Sequence, residues 1–295
     1  MTATTGIARA ESRARAVIVV SSHVARGSVG NRAAVFALET LGHPVWAVPT
    51  VILPWHPGHG RATRIIPPAP DFAAFMRDLE SAPWLGGVGA VLSGYLGEAG
   101  QAEAIASLVG AVKRKNPEAF YVCDPVMGDA GGLYVAEVTA AAIRDVLMPL
   151  ADIATPNGYE LEWITKQELR TLEAISEAAS RAGPATMLVT SVPAAAQGTI
   201  GNLLLTPQQT YLAEHRVVEN PPKGPGDLTA ALLAGWLLSG LDPAEALRRV
   251  TSSVVEVLAQ ASERGSDELM LEQDAASLSA PTTVVELRRL PVPGS

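Results

Sequence analysis

The chain has 295 residues, with 22 lysine and arginine against 30 aspartate and glutamate side chains, so its formal net charge is −8. Apolar residues make up 48% and charged residues 18%, which is typical of a globular protein and excludes a disordered one. The acidic balance counts against a nucleic-acid-binding surface and against a polybasic membrane anchor. The single cysteine, Cys123, excludes an internal disulfide framework and a cysteine-rich zinc site.

The first 15 residues are rich in alanine, threonine and arginine and show no apolar periodicity. We expect Met1–Arg15 to be a disordered tail and residues 16–295 to form one domain. The apolar run at residues 16–20 is too short for the core of a signal peptide, and no apolar run reaches the roughly 18 to 20 residues of a membrane span. A cytoplasmic location is therefore the default expectation.

Short apolar runs alternate with segments of helical periodicity along most of the chain. The predicted strands are residues 17–20, 45–51, 88–92, 120–123, 152–155, 186–190, 199–205, 210–218 and 284–290. The predicted helices are residues 31–41, 71–79, 98–115, 135–147, 173–182, 227–239 and 242–262. Asp71 is placed to cap the second helix. This alternation predicts an α/β domain with a mostly parallel sheet covered by helices on both faces, plus an antiparallel hairpin at residues 199–218 and a terminal edge strand.

Oxygen-bearing side chains follow two of the predicted strands, at the edge of a parallel sheet where ligands bind. Asp124 and Asp129 follow the strand at residues 120–123, and Asn157 and Glu160 follow the next strand along the chain. Carboxylate and amide oxygens suit Mg²⁺, which commonly bridges substrate phosphates. The alternative is that these side chains cap loops, and the spacing alone leaves both interpretations open.

A glycine-rich turn leads directly into an apolar helix at Lys223-Gly224-Pro225-Gly226-Asp227. The first N–H groups of a helix lack internal partners, and glycine lets a phosphate approach them closely. An acid at the N-cap of this helix, Asp227, has two interpretations, a structural cap or a general base. The turn is neither a P-loop nor a dinucleotide fingerprint, because the required glycine and lysine spacings are absent.

Several ordered motifs together resemble those of pyridoxal kinases, in the ribokinase-like superfamily, from about Val17 to the C-terminus. They are Ser22-His23-Val24, Gly30-Asn31-Arg32-Ala33-Ala34, Ser93-Gly94-Tyr95, Cys123-Asp124-Pro125-Val126-Met127-Gly128-Asp129, Thr155-Pro156-Asn157 with Glu160, and Gly224 with Gly226-Asp227. The resemblance implies ATP-dependent phosphorylation of the 5′-hydroxymethyl group of pyridoxal, pyridoxine or pyridoxamine in vitamin B6 salvage. It further implies a homodimer, Mg²⁺ as cofactor, ATP as co-substrate, and K⁺ as an optional monovalent cation.

The same resemblance assigns roles by matching position. Asp227 resembles the base that takes the hydroxymethyl proton, and Gly224 and Gly226 would stabilise the transferring phosphoryl group. The metal and nucleotide side would comprise Asp124, Asn157 and Glu160 around Mg²⁺, and Asp129, Thr155, Thr190 and Ser191 facing the ATP phosphates. The vitamer side would comprise Thr50, Tyr95, Asp227 and the position of Val19.

Two departures from the family pattern define the alternatives. Val19 stands where the family pattern has a polar serine beside the pyridine ring. Together with Pro54-Trp55, this departure suggests a hydroxymethylpyrimidine-type kinase as an alternative. Asp227 counts against that alternative, since such kinases typically carry cysteine at this position. Pro225, which has no N–H, replaces threonine or valine in the anion loop. That loss suggests a non-catalytic paralogue that binds nucleotide or pyridoxal phosphate.

Overall fold

The computed structural model describes residues 15–194 and 196–293. Of the predicted tail, residues 1–14 lie outside the described residues. Arg15 is described, and its guanidinium donates a hydrogen bond to the Glu118 carboxylate at 2.9 Å. No helix in the described part of the chain is both long enough and apolar enough to cross a membrane.

Strands and helices alternate as the sequence predicts. The strands are β1 (Ala16–Val24), β2 (Val45–Leu53), β3 (Val88–Ser93), β4 (Phe120–Cys123), β5 (Gly128–Asp129), β6 (Gly132–Leu133), β7 (Ile153–Ala154), β8 (Thr186–Pro193), β9 (Thr199–Leu205), β10 (Thr210–Arg216) and β11 (Leu287–Leu290). The helices are α1 (Asn31–Thr40), α2 (Ala69–Ser81), α3 (Gln101–Lys115), α4 (Glu137–Ala142), α5 (Gly158–Thr165), α6 (Leu172–Arg181), α7 (Pro225–Leu238), α8 (Pro243–Glu263) and α9 (Ala275–Ser279).

Nine strands form one sheet in the order β11-β10-β9-β8-β7-β4-β3-β1-β2. The six strands from β8 to β2 pair in parallel, and β9, β10 and β11 extend the sheet in antiparallel fashion. The predicted mostly parallel sheet, the hairpin and the terminal edge strand are thus confirmed. β5 and β6 form a separate small hairpin beside the sheet.

Both faces of the sheet are buried, which explains why its strands are continuous apolar runs. In β1, Ile18 and Val20 pack in the layer that contains α2, α3 and α6, whereas Val17 and Val19 pack in the layer that contains α1, α7 and α8. Burying each such side chain is worth roughly 1.5 to 3 kcal/mol. Because the two faces supply the core, the strand ends are free to carry polar groups.

The helices differ from the sequence prediction in several places. α2 begins at Ala69, so Asp71 lies in its first turn and the predicted cap at Asp71 is wrong. The predicted helix at residues 135–147 changes from α4 to a π-helical turn over Ile143–Leu147. α5 was not predicted, because Pro156-Asn157-Gly158 has the composition of a loop.

Candidate active site

A cavity of about 490 Å³ lies at the carboxyl ends of the six parallel strands, closed on one side by the start of α7. Ten of the thirteen predicted site residues line it: Tyr95, Asp124, Asp129, Thr155, Asn157, Glu160, Thr190, Gly224, Gly226 and Asp227. A volume of this size accommodates a small organic ligand. Residues from six loops therefore meet in one place, as expected for ligand binding outside a parallel sheet.

The start of α7 requires glycine at its N-cap. Gly224 has φ of +105°, and a Cβ there would lie 2.4 Å from the backbone oxygen of Ser28. Because Gly224 is the cap, Asp227 is the third residue of the helix, and its predicted N-cap position is wrong. Its carboxylate is therefore not needed for capping, and Asp227 lines the cavity.

Asp227 lies in a setting that suits a general base. Burial raises the pKa of its carboxyl to about 6, and a hydrogen bond donated by the backbone N–H of Gly30 opposes this shift. Gly30 has φ of +55°, and a Cβ there would clash with Ser22 at 2.3 Å. A carboxylate with a pKa near 6 is ionised at neutral pH and is a better proton acceptor than an ordinary aspartate.

Pro225 occupies the first position of α7, and this removes the objection raised by its missing N–H. The N–H at that position has no partner within the helix, and the fixed φ of proline suits it. The N–H groups of Gly226 and Asp227 remain part of the helix start that borders the cavity.

The carboxyl groups of Asp124, Glu160 and Asp227 line the same cavity. Asp124 is 6% exposed, and its Oδ1 accepts a hydrogen bond from Thr155 Oγ1 at 2.8 Å. Burial, followed by the charges of Glu160 and Asp227, raises the pKa of Asp124 well above its usual range. A bound divalent cation would offset the repulsion from Glu160 and Asp227, and carboxylate oxygens are ligands that Mg²⁺ prefers, so Asp124 fits Mg²⁺.

Glu160 and Asn157 also stabilise the local fold. Glu160 Oε1 accepts from the backbone N–H of Met127 at 2.9 Å, and Asn157 Nδ2 donates to the Gly128 oxygen at 2.9 Å. Burial raises the pKa of Glu160 to about 7, while hydrogen bonds donated by the backbone N–H groups of Asn157, Met127 and Gly128 oppose this shift. Within residues 15–194 and 196–293, no three His, Cys, Asp or Glu side chains form a ready metal cluster. A cation here would thus need water and substrate oxygens besides Asp124.

Tyr95 also lines the cavity. The backbone N–H of Tyr95 donates to Ser21 Oγ at 3.1 Å, and its backbone oxygen accepts from Thr50 Oγ1 at 2.6 Å. Thr50 is fully buried and does not line the cavity, so the structure makes it a residue that positions Tyr95. The Tyr95 ring is available for stacking against a planar ligand.

Two further predicted residues also lie away from the cavity. Val19 is fully buried in the layer that contains α7 and does not line the main cavity. It borders a much smaller space that Asp124 and Asp227 also line, and its predicted contact with substrate remains a prediction. Ser22, three residues further along, lines the cavity and carries a hydroxyl. Ser191 is exposed, has φ of +59° and does not line the cavity; its predicted nucleotide contact remains a prediction.

Several cavity residues had no assigned role in the sequence analysis. Arg64, His56, Tyr134 and Lys223 all line the cavity. His56 Nδ1 accepts from the backbone N–H of Gly58 at 3.0 Å, and burial followed by the charge of Lys223 lowers the pKa of His56. No sequence motif indicates that Arg64 belongs to the site, because the backbone pairing of Ile52 with Ile65 brings it to the cavity.

Comparison with known proteins decides which family has this arrangement. The family model described as phosphomethylpyrimidine kinase matches residues 84–271. A pyridoxal kinase of Rubrobacter xylanophilus is 40% identical over 281 residues, covering 93% of this chain and 97% of the relative. A pyridoxal kinase of Corynebacterium diphtheriae is 36% identical over 281 residues, covering 93% and 99%. The chain belongs to the pyridoxal kinase family.

A solved pyridoxal kinase confirms the fold expected from the resemblance. The Leishmania donovani enzyme, in complex with ADP and pyridoxine, superposes with a TM-score of 0.86 and 29% identity, over 93% of this chain and 99% of that one. The chain is thus a single-domain ribokinase-like α/β protein. Membership of the pyridoxal kinase family makes it a kinase and confirms the resemblance drawn from the loop motifs.

Proposed function

We propose that the protein transfers the γ-phosphoryl group of ATP to the 5′-hydroxymethyl group of pyridoxal, pyridoxine or pyridoxamine. The names of the relatives and the ADP and pyridoxine bound to a structural neighbour support this. The observation that carries it is the shared cavity, in which the Asp227 carboxylate at the start of α7 shares one space with Asp124 and Tyr95. In this proposal one bound substrate contacts the base Asp227, the metal-binding Asp124 through its phosphate, and the ring of Tyr95.

The residues divide the work in a way that phosphoryl transfer requires. With a pKa of about 6, Asp227 is ionised at neutral pH and accepts the hydroxymethyl proton as the oxygen attacks phosphorus. The bond between phosphorus and the ADP oxygen breaks in the same transfer. The N-terminus of α7, with Gly224 and Gly226, stabilises the charge on the transferring group.

On the nucleotide side, Mg²⁺ would neutralise charge on the ATP phosphates. Asp124 would hold it together with water, and Asn157 and Glu160 would keep the surrounding loop in place. Asp129, Thr155 and Thr190 line the same end of the cavity and would face the phosphates, with Ser191 beside them. A requirement for K⁺ stays a prediction of the resemblance.

The rival functions have less support. Relatives at 36 to 40% identity are pyridoxal kinases, and Asp227 replaces the cysteine expected of a hydroxymethylpyrimidine-type kinase, although the family model bears that neighbouring description. Pro225 fits the first position of its helix, so it no longer argues for a non-catalytic paralogue. A homodimer and a cytoplasmic location, where ATP is available, complete the proposal.

The test is a substrate panel with the purified chain, saturating ATP and Mg²⁺. Release of ADP is coupled to an optical readout, and pyridoxal, pyridoxine, pyridoxamine and hydroxymethylpyrimidine are each supplied. We expect turnover with the three vitamers and formation of pyridoxal 5′-phosphate from pyridoxal. Turnover with hydroxymethylpyrimidine alone, or binding of nucleotide without any turnover, would overturn the proposal.

A further inference from the structure

Arg64 reaches the cavity because the chain folds back after β2. The backbone N–H of Ile52 donates to the Ile65 oxygen at 2.8 Å, and the N–H of Ile65 donates to the Ile52 oxygen at 3.0 Å. This antiparallel pairing fixes the residue just before Ile65 beside the cavity mouth, and Arg64 lines the cavity. The positively charged Arg64 side chain is therefore held beside β2 and the loop after β3, which carries Tyr95.

The guanidinium of Arg64 lies at the hydroxyl end of Tyr95. Arg64 Nη2 donates to the Tyr95 hydroxyl at 2.9 Å, and its Cζ lies 5.7 Å from the ring centroid. Within residues 15–194 and 196–293, no carboxylate forms a salt bridge with Arg64. Its positive charge is therefore not neutralised by a carboxylate in contact with it.

Charged side chains of both signs line the cavity. Asp124, Asp129, Glu160 and Asp227 are its carboxylates, whereas Arg64 and Lys223 are its cations. His56 also lines the cavity, and burial, followed by the charge of Lys223, lowers the pKa of its imidazole. A ligand stacked on Tyr95 would have the Arg64 guanidinium at the hydroxyl end of that ring. Arg64 is exposed, so solvent screens its charge and we expect a modest, salt-dependent effect.

We propose that Arg64 is a specificity-determining residue that disfavours a vitamer bearing an ammonium group at ring position 4. This rests on the proposed function, since it assumes that the pyridine ring stacks on Tyr95. Pyridoxamine carries an aminomethyl group that is protonated at neutral pH, and pyridoxine carries an uncharged hydroxymethyl group of nearly the same size at the same carbon. Comparing pyridoxamine with pyridoxine therefore tests the effect of the substrate's charge at nearly constant size.

The experiment compares kcat/KM for pyridoxine and pyridoxamine in the wild type and in three variants. Arg64→Gln removes the charge, and Arg64→Lys keeps it while losing the planar fork. Arg61→Gln is the control, because Arg61 is an exposed arginine of the same segment that does not line the cavity. We expect Arg64→Gln to raise the ratio of pyridoxamine to pyridoxine kcat/KM by about two- to fivefold.

Arg64→Lys and Arg61→Gln should both keep a ratio close to that of the wild type, and added salt should shrink the effect of Arg64→Gln. An unchanged ratio in Arg64→Gln, with pyridoxine still phosphorylated, would overturn the role of Arg64 and leave the proposed function intact. The role of Arg64 would also be overturned if Arg64→Lys changed the ratio as much as Arg64→Gln does, since the positive charge would then not determine the preference. Absence of turnover with either vitamer in the wild type would instead contradict the proposed function.

Discussion

Asn157 and Glu160 cap the same helix reciprocally: Asn157 Oδ1 accepts from the Glu160 backbone N–H at 2.9 Å, and Glu160 Oε2 accepts from the Asn157 backbone N–H at 2.9 Å. This capping box fixes the start of α5 directly behind Asp124. The two side chains expected around the metal thus also determine the shape of the loop that surrounds it. A change at either should alter metal use and stability together.

Replacing Glu160 by glutamine tests this double role. The two carboxylate oxygens of Glu160 accept from the backbone N–H groups of Met127 and Asn157. Glutamine has only one side-chain oxygen, so its amide nitrogen would face one of these N–H groups and leave that donor poorly paired. We expect a loss of about 1 to 3 kcal/mol in the free energy of unfolding and a several-fold higher Mg²⁺ concentration for half-maximal turnover. Thermal melts and Mg²⁺ titrations of activity measure both. Glu173→Gln, an exposed change on α6, is the control and should move neither.

Gly224→Ala should impair the start of α7. The added Cβ requires an unfavourable φ near +105° and would lie 2.4 Å from the Ser28 oxygen, so the loop must move. Gly240→Ala is a matched control, since Gly240 has φ of +86° with no atom within 4 Å of the added Cβ. Both variants should lose stability, but only Gly224→Ala should lower kcat, by about tenfold or more. Equal kcat values in the two variants would argue against a role for this turn in transfer.

The pH dependence of kcat/KM should report the ionisation of Asp227. Its pKa of about 6 means that the carboxylate is ionised above pH 6 and protonated below it, so activity should fall as pH decreases through about 6. Burial raises the pKa of Glu160 to about 7, which places a second group close by. The variant Glu160→Gln separates them: the acidic limb should persist in this variant. Its disappearance there would assign the limb to Glu160.

Glu256 provides a test of stability away from the cavity. Its carboxylate accepts hydrogen bonds from Ser277 Oγ at 2.7 Å and from the backbone N–H groups of Thr282 and Thr283 at 2.7 and 2.6 Å, joining α8 to the segment before β11. These bonds, acting against burial, lower the pKa of Glu256 to about 2. The stabilisation should be complete above the ordinary glutamate pKa and lost as pH falls towards 2. Glu256→Gln should therefore lower the Tm at pH 7, and by less at pH 3; equal losses at both would contradict this.

The elements of the fold were predictable because their patterns are strong and local. β4 was predicted at its observed bounds, since the run Phe-Tyr-Val-Cys ends sharply at Asp124-Pro125. Helix starts were harder. Gly224 caps α7 through a left-handed conformation that glycine permits, so the acidic residue three positions on was mistaken for the cap. α5 was missed because Pro156-Asn157-Gly158 at its start has the composition of a loop.

Within the site, side chains that follow strand ends could be found from sequence, and Asp124, Thr155 and Asp227 meet as expected. The contact of Val19 with substrate remains a prediction, because β1 continues past it to Val24 and Ser22 is the β1 residue that lines the cavity beside Val24. Arg64 could not be found, since only the pairing of Ile52 with Ile65 brings it back to the cavity. Contacts that depend on pairing between residues distant in sequence leave no local sequence pattern from which to predict them.

The central claim, that Asp227 is the base, is tested most directly by Asp227→Asn with pyridoxine and saturating ATP and Mg²⁺. Asparagine keeps the shape but accepts no proton, so kcat should fall by roughly 10²- to 10⁴-fold while ADP binding, measured by calorimetry, stays within a few-fold of the wild type. Asp242→Asn, which changes the N-cap of α8, should keep wild-type turnover. A kcat for Asp227→Asn within a few-fold of the wild type would contradict the account.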